Sequence, residues 1–195
     1  MSSFVLATTN EHKAAEMRCV LSAYDLRLLP RPSDVPDVQE TDDSLEGNAL
    51  LKARALADAT GHATIADDTG LFVDALGGDP GVYSARYAGE GATFEENVQK
   101  VLRELDGVDD AQRGARFRTV VAVAYPNGDD WWVEGVLEGE ILRAPKGKGG
   151  FGYDPIFAPR GLGGRSLGEL SAEEKNTLSH RGNALRAFVA ALQIS

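Results

Sequence analysis

Ile65-Ala66-Asp67-Asp68-Thr69-Gly70-Leu71 sets two adjacent carboxylates inside an apolar stretch and follows them with a hydroxyl and a glycine. In extended backbone successive side chains point to opposite faces, so only one of the two aspartates can enter a given cleft. Burying a carboxylate without a partner is costly, and the pair therefore requires a metal, a catalytic task or strong hydrogen bonding. The competing reading is an Asx-turn, with Asp68 or Thr69 bonding backbone amides where a strand stops. In either case a strand runs from Ala63 into a turn at Asp67-Asp68, and a second short one covers Leu71–Val73.

Upstream of this stretch, Phe4–Thr8 reads as a short buried strand, followed by a helix from about His12 to Leu21 and a strand at Leu26–Leu29. Arg31–Asp43, with its prolines and acids, is a loop. Leu45, Ala49, Leu50, Ala53, Leu56 and Ala57 recur at helical spacing, and Gly61 closes that helix. Downstream, Gly77-Gly78-Asp79-Pro80-Gly81 punctuates the chain before a helix over Thr93–Leu105. Phe117 to Tyr125 alternates like a long strand and is expected to pair antiparallel with Trp131–Leu142 across Pro126-Asn127-Gly128. Ser171 and Glu174 have capping-box spacing, and Ala184, Leu185, Phe188, Val189 and Leu192 make the inner face of a last helix. Strands alternating with helices define an α/β chain with a mixed sheet.

At 195 residues, 43% hydrophobic and 26% charged, the chain can bury a core as one domain over residues 1–195, with room for two lobes. No run approaches the ~20 apolar residues of a membrane span. No basic start leads into an apolar core, so a cytoplasmic protein without a membrane partner is expected. Cys19, the single cysteine, excludes an intramolecular disulfide and reads as a small core residue in a helix. The net charge of -10 argues against nucleic acid as the main partner. Its distribution says more: from Arg143 to Arg186 there are 8 basic residues against 4 acids, leaving 12 against 26 elsewhere. A basic third on an acidic protein suits a small polyanion held partly through a divalent metal.

Three further clusters can carry chemistry. Thr8-Thr9-Asn10-Glu11-His12-Lys13 lies at a strand-to-helix junction, where backbone amides and a lysine one turn in make an anion site. The spacing is not that of a P-loop, and Thr8 or Asn10 can simply cap the helix. Lys146-Gly147-Lys148-Gly149-Gly150-Phe151-Gly152-Tyr153-Asp154-Pro155 joins glycines that admit a ligand to two flat rings and an acceptor for ring N–H groups. The same residues also suit a glycine turn with its aromatics packed inward. In Lys175-Asn176-Thr177-Leu178-Ser179-His180-Arg181-Gly182, Ser179 can cap the last helix and put His180 and Arg181 in its first turn. Cations there oppose the helix dipole, a conflict that an anionic ligand would resolve. No histidine or cysteine spacing fits zinc.

These clusters, with Leu76 to Tyr87 (LGGDPGVYSARY), occur in the order and spacing of a known group: the chain closely resembles the inosine triphosphate pyrophosphatases nearly end to end. The resemblance implies hydrolysis of dITP, ITP and XTP to the monophosphate and pyrophosphate with Mg2+, by a homodimer. It implies an elongated mixed sheet with flanking helices, forming two lobes around a nucleotide cleft. Carried over by position, Thr8, Thr9, Asn10, Glu11, His12, Lys13 and Thr69 would hold phosphates, and Asp68 would be proton acceptor and metal ligand. Phe151, Gly152, Tyr153 and Asp154 would bind the base side, joined by Lys175, His180 and Arg181.

Chemistry qualifies these roles. A free aspartate with a pKa of ~3.9 is a weak base at neutral pH, so Asp68 suits a residue that positions a metal-acidified water. Selection of a 6-oxopurine over adenine calls for donors such as His180 or Arg181, because a wrong edge leaves buried groups unpaired. One departure stands out. Many members of the group carry an acid immediately before the asparagine matching Asn48, whereas this chain has Gly47 there and Glu46 one place earlier. One helical step turns a side chain by about 100°, so Glu46 need not replace that acid; Glu40, in the acidic loop, is the candidate second metal-linked carboxylate, with Glu46 the alternative.

Overall fold

The computed structural model describes residues 2–193. Strand β1 (Ser2–Leu6) pairs in parallel with β2 (Leu26–Leu29), Phe4 opposite Leu28, and with β3 (Thr64–Val73), Leu6 opposite Ile65. Helix α1 (Glu11–Leu21) buries Ala14, Met17 and Leu21, one stripe at helical spacing. Helix α2 (Leu45–Thr60) starts where the Ser44 side chain accepts the Gly47 N–H and stops at Gly61, whose φ of 65 suits a residue without Cβ. These elements belong to a first compact unit, made of the chain up to Asp68, Thr119–Gly135, and the chain from His180 onward. Its core gathers Phe4, Met17, Ile65, Val121, Leu185 and Phe188. Phe188, on helix α5 (His180–Leu192), meets Phe4 edge-on at 5.8 Å and stacks on Trp131 at 5.3 Å. Burying such a ring contributes roughly 1.5–3 kcal/mol.

The second unit comprises Thr69–Arg118 and Val136–Ser179. Here β3 takes the short β4 (Pro80–Gly81) as an antiparallel neighbour, Leu71 opposite Gly81. Helix α3 (Phe94–Glu104) opens with a reciprocal Thr93–Glu96 capping box and buries Asn97, Val98 and Val101. Strands β5 (Gly114–Ala124) and β6 (Asp130–Ile141) adjoin in the sheet, and β7 (Phe157–Pro159) pairs antiparallel with β6. Helix α4 (Ala172–Leu178) carries the Ser171–Glu174 capping box. Leu71, Val101, Leu105, Phe117, Ile141 and Phe157 form this unit's core. The buried Arg113 donates to the carbonyls of Leu105, Ile141 and Leu142, tying the end of α3 to the end of β6.

The strand order is β2-β1-β3-β5-β6-β7 with β4 added to β3, and both parallel and antiparallel pairs occur. The mixed α/β sheet expected from the sequence is present. Among the described residues no helix is long and apolar enough to cross a membrane. Three local expectations need correction. The turn at Asp67-Asp68 is absent: β3 runs unbroken from Thr64 to Val73, and charged partners rather than an Asx-turn hold the two acids. Cys19 is exposed, two residues past Met17 and thus off the buried stripe of α1. The first strand stops at Leu6, short of Thr8.

Candidate active site

The strand that begins at Thr64 delivers Asp67 and Asp68 to different partners. Asp67 is buried, and its Oδ2 accepts from Arg181 Nε at 3.2 Å and Nη2 at 3.1 Å, with Lys13 Nζ at 3.3 Å. Burial opposes its ionisation, yet Lys13, Arg181 and Lys52 together hold the carboxyl well below the usual carboxylate range. Arg181 is almost wholly buried and turns its remaining arm to Glu16, Nη1 to Oε2 at 2.5 Å. Glu16 on α1 and Asp67 on β3 therefore share one guanidinium from the first turn of α5. The conflict between cations and the dipole of that helix, read from sequence as a sign of ligand, is answered by the protein's own acids.

Asp68 is paired on one side only. Its Oδ1 accepts from Lys52 Nζ at 3.1 Å, and Lys52 also donates to Glu40 Oε1 at 2.7 Å. Its Oδ2 is buried and has no hydrogen-bond partner among the described residues. Burial pushes the Asp68 carboxyl above the usual carboxylate range, with Glu40 adding to this and Lys52 and Lys13 pulling against it. Lys52 is held in its charged form: burial disfavours the charge, but Asp68, Glu40 and Asp67 outweigh it. A buried carboxylate oxygen with a bonding direction left over is a donor suited to a hard cation or to a water proton. Among the described residues no group of three or more His, Cys, Asp or Glu side chains is assembled for a metal. Magnesium does not demand one, because it binds through one or two carboxylates and fills its octahedron with water and substrate phosphate. Asp68 and Glu40, which both meet Lys52 Nζ, are the carboxylates that could serve in this way.

The Thr8–Lys13 segment is ordered by its own side chains. Asn10 caps α1, its Oδ1 accepting the N–H groups of His12 at 3.0 Å and Lys13 at 3.2 Å, while Thr8 Oγ1 accepts from Asn10 N–H. Those two amides are thus engaged, which narrows the anion site expected there to Lys13 and the loop ahead of the helix. Thr9 reaches Asp37, and Glu11 and His12 lie on the exposed face. His180 is buried with its Nδ1 2.6 Å from Thr119 Oγ1.

In the second unit the glycine segment closes on an acid. Asp154 is buried, and its Oδ2 accepts from Lys175 Nζ at 2.6 Å and from Phe151 N–H at 2.7 Å. Lys175 also stands 4.6 Å above the Phe151 ring centroid. Gly150 is required at this place: its φ is +71, and a Cβ there would lie 2.1 Å from Asp154 Oδ2. Tyr153, expected to offer a ring to a base, instead packs in the core and donates its hydroxyl to the Ser84 carbonyl at 2.8 Å. Burial pushes that phenol well above its ordinary range. Gly152 has a φ of +61 within the same loop, and Thr69, half-buried, begins the second unit on β3.

The structure therefore groups Lys13, Asp68, Arg181 and Glu40 within the first unit and Phe151, Asp154 and Lys175 within the second. Sequence reasoning missed Lys52 and Glu16. Both are charged residues within helices, and the only available signal was a charge falling next to the buried stripe. The departure at Gly47 gains a steric account: a Cβ there would meet Asp42 Cγ at 2.0 Å. The Asp42 carboxyl fills that volume and accepts from Ser44 N–H and Oγ, while Asn48 bonds the Asp42 backbone. In this chain an acid thus stands at Asp42, ahead of the helix, against the face of Gly47.

With this geometry in hand, comparison with known proteins gives a consistent result. The Ham1 family model matches residues 4–191. The dITP/XTP pyrophosphatase of Streptomyces coelicolor is 46% identical over 193 residues, covering 97% of this chain and 96% of the relative. The protein of the same name from Bacillus subtilis is 44% identical over 188 residues, covering 95% and 94%. Among solved structures, a HAM1 protein from Coxiella burnetii superposes with a TM-score of 0.90 at 43% identity, covering both chains fully. The nucleoside-triphosphatase or dITP/XTP pyrophosphatase of Mycobacterium abscessus gives 0.77 at 45% identity, covering 95% of this chain and 98% of that one.

Proposed function

The chain belongs to the Ham1 family, and from that premise we propose that it hydrolyses non-standard purine nucleoside triphosphates (dITP, ITP and XTP) to the monophosphate and pyrophosphate. The observation that carries the reading is Asp68, a buried carboxylate with one oxygen on Lys52 and the other left over. Water attacks the α-phosphorus, the bond from that phosphorus to the bridging oxygen breaks, and pyrophosphate departs. Asp68, raised in pKa by burial, is a better proton acceptor near neutrality than a free aspartate. Lys13 and Lys52 offset charge on the phosphates, and that electrostatic term is usually the largest in such a reaction. Asp68 and Glu40 would hold magnesium, which when bound neutralises phosphate charge and acidifies water. Arg181 acts through Asp67, fixing the strand residue next to the proton acceptor.

Phe151, Asp154 and Lys175 are assigned to the base, with a ring for stacking and a charged pair for hydrogen bonding. His180 is assigned by the family resemblance as a donor or acceptor to the purine edge. A cytoplasmic homodimer belongs to the same reading, and sizing in solution tests the dimer. The decisive experiment is magnesium-dependent release of pyrophosphate from dITP, ITP, XTP, dATP and dGTP at equal concentrations. Preference for the first three is expected. Equal rates on all five would sink the base assignment while keeping the chemistry, and activity on none would remove the function.

A further inference from the structure

Phe94 belongs to none of the motifs, yet it stands beside the base assignment. It is the first residue of α3, and its ring centroid lies 6.0 Å from that of Phe151, the planes tilted by 45°. It continues the stripe of Val98 and Val101, spaced four and seven residues on, but whereas those two are buried, Phe94 remains 46% exposed. Its position is fixed at two points. The Thr93–Glu96 capping box sets where the helix begins, and Asn97 accepts the Ala88 N–H and donates to the Ala85 carbonyl. The ring is thus held in place while half of it faces solvent. Phe151 is itself backed by Lys175, whose ammonium is locked on Asp154.

We propose that Phe94 is a specificity-determining residue of the base subsite, completing with Phe151 an apolar wall that takes the flat face of a purine. The inference rests on the base assignment made above. Two tilted rings offer more contact to a bicyclic base than to a single ring, and stacking on an aromatic tolerates changes at the base edge. Phe94 thus favours purines as a class, leaving the edge to polar groups. Because the ring is half exposed, its truncation removes contact area for a ligand without opening a core cavity.

Calorimetry with IMP and with ribose 5-phosphate, on the wild type and on Phe94→Ala and Phe94→Trp, tests this alongside steady-state kinetics on ITP. Phe94→Ala is expected to weaken IMP and raise KM for ITP by about five- to tenfold, a typical cost for one lost stacking partner. The kcat, the affinity for ribose 5-phosphate and Tm should hold, and Phe94→Trp should restore IMP binding. Unchanged IMP affinity in Phe94→Ala, or an equal loss for IMP and ribose 5-phosphate, would overturn the proposal while the base assignment stands. A wild type that binds IMP no better than ribose 5-phosphate would remove the base assignment, and Phe94 with it.

Discussion

The two units bury charge in opposite ways. In the first, four carboxylates (Glu16, Glu40, Asp67 and Asp68) share three cations (Lys13, Lys52 and Arg181), leaving a negative surplus. In the second, Asp154 and Lys175 balance one to one, with an aromatic ring beneath the ammonium. A surplus carboxylate in low dielectric is unstable unless a cation or proton comes to it, and so it suits chemistry. A balanced pair holds its geometry with nothing bound, and so it suits recognition. Even within the first unit the adjacent acids divide: Asp67 meets Lys13 and Arg181 and is held below the usual carboxylate range, whereas Asp68 meets Lys52 and is pushed above it.

Three experiments press on this contrast. Asp68→Asn keeps the shape and removes the surplus charge; turnover of ITP should fall roughly 10²–10⁴-fold while nucleotide binding survives. Wild-type kcat/KM should decline as pH falls through the raised Asp68 pKa, and the variant should lack that acid limb. Near-normal turnover would take Asp68 out of the reaction.

Arg181→Met leaves Asp67 and Glu16 without their shared cation, and denaturant unfolding should show a loss of about 3–5 kcal/mol at neutral pH. The sign of the pH dependence follows from Asp67, whose folded pKa lies below its unfolded value. Its contribution is present above the ordinary carboxylate pKa and disappears only as pH falls through the depressed one. The gap between wild type and variant should therefore narrow below about pH 4. A gap independent of pH would trace the loss to packing instead.

Lys175→Met breaks the balanced pair in the second unit. KM for ITP should rise about tenfold, the scale of one lost charged hydrogen bond, with the Asp68 acid limb intact. A change in that limb would mean that the two clusters do not divide the work as described.

Most of the scaffold was legible in the sequence, because local patterns specify it: the apolar stripe of α2, the caps at Asn10 and Ser171, and the alternation along β5. The site was legible where residues cluster along the chain, as at Phe151–Asp154. It was illegible where partners lie far apart. Glu16 and Arg181 are separated by 165 positions and Lys52 and Asp68 by 16, and nothing local marks a helical lysine as half-buried against an acid. The false turn at Asp67-Asp68 has the same root. Aspartate is disfavoured in strands by propensity, and only partners supplied by α1, α2 and α5 reverse that preference.

The unbroken run of β3 bears on how this chain can vary in length. Side chains along a strand alternate with a period of two, so adding or deleting one residue between Thr64 and Asp67 would shift both acids by one place and turn each to the opposite face. One of the two places would then lack its acid, with no residue identity changed. Homologous genes should therefore admit insertions in the Arg31–Asp43 loop or after Gly161 while excluding odd-numbered ones from this strand. Parity, as much as composition, decides what Asp67-Asp68 can do.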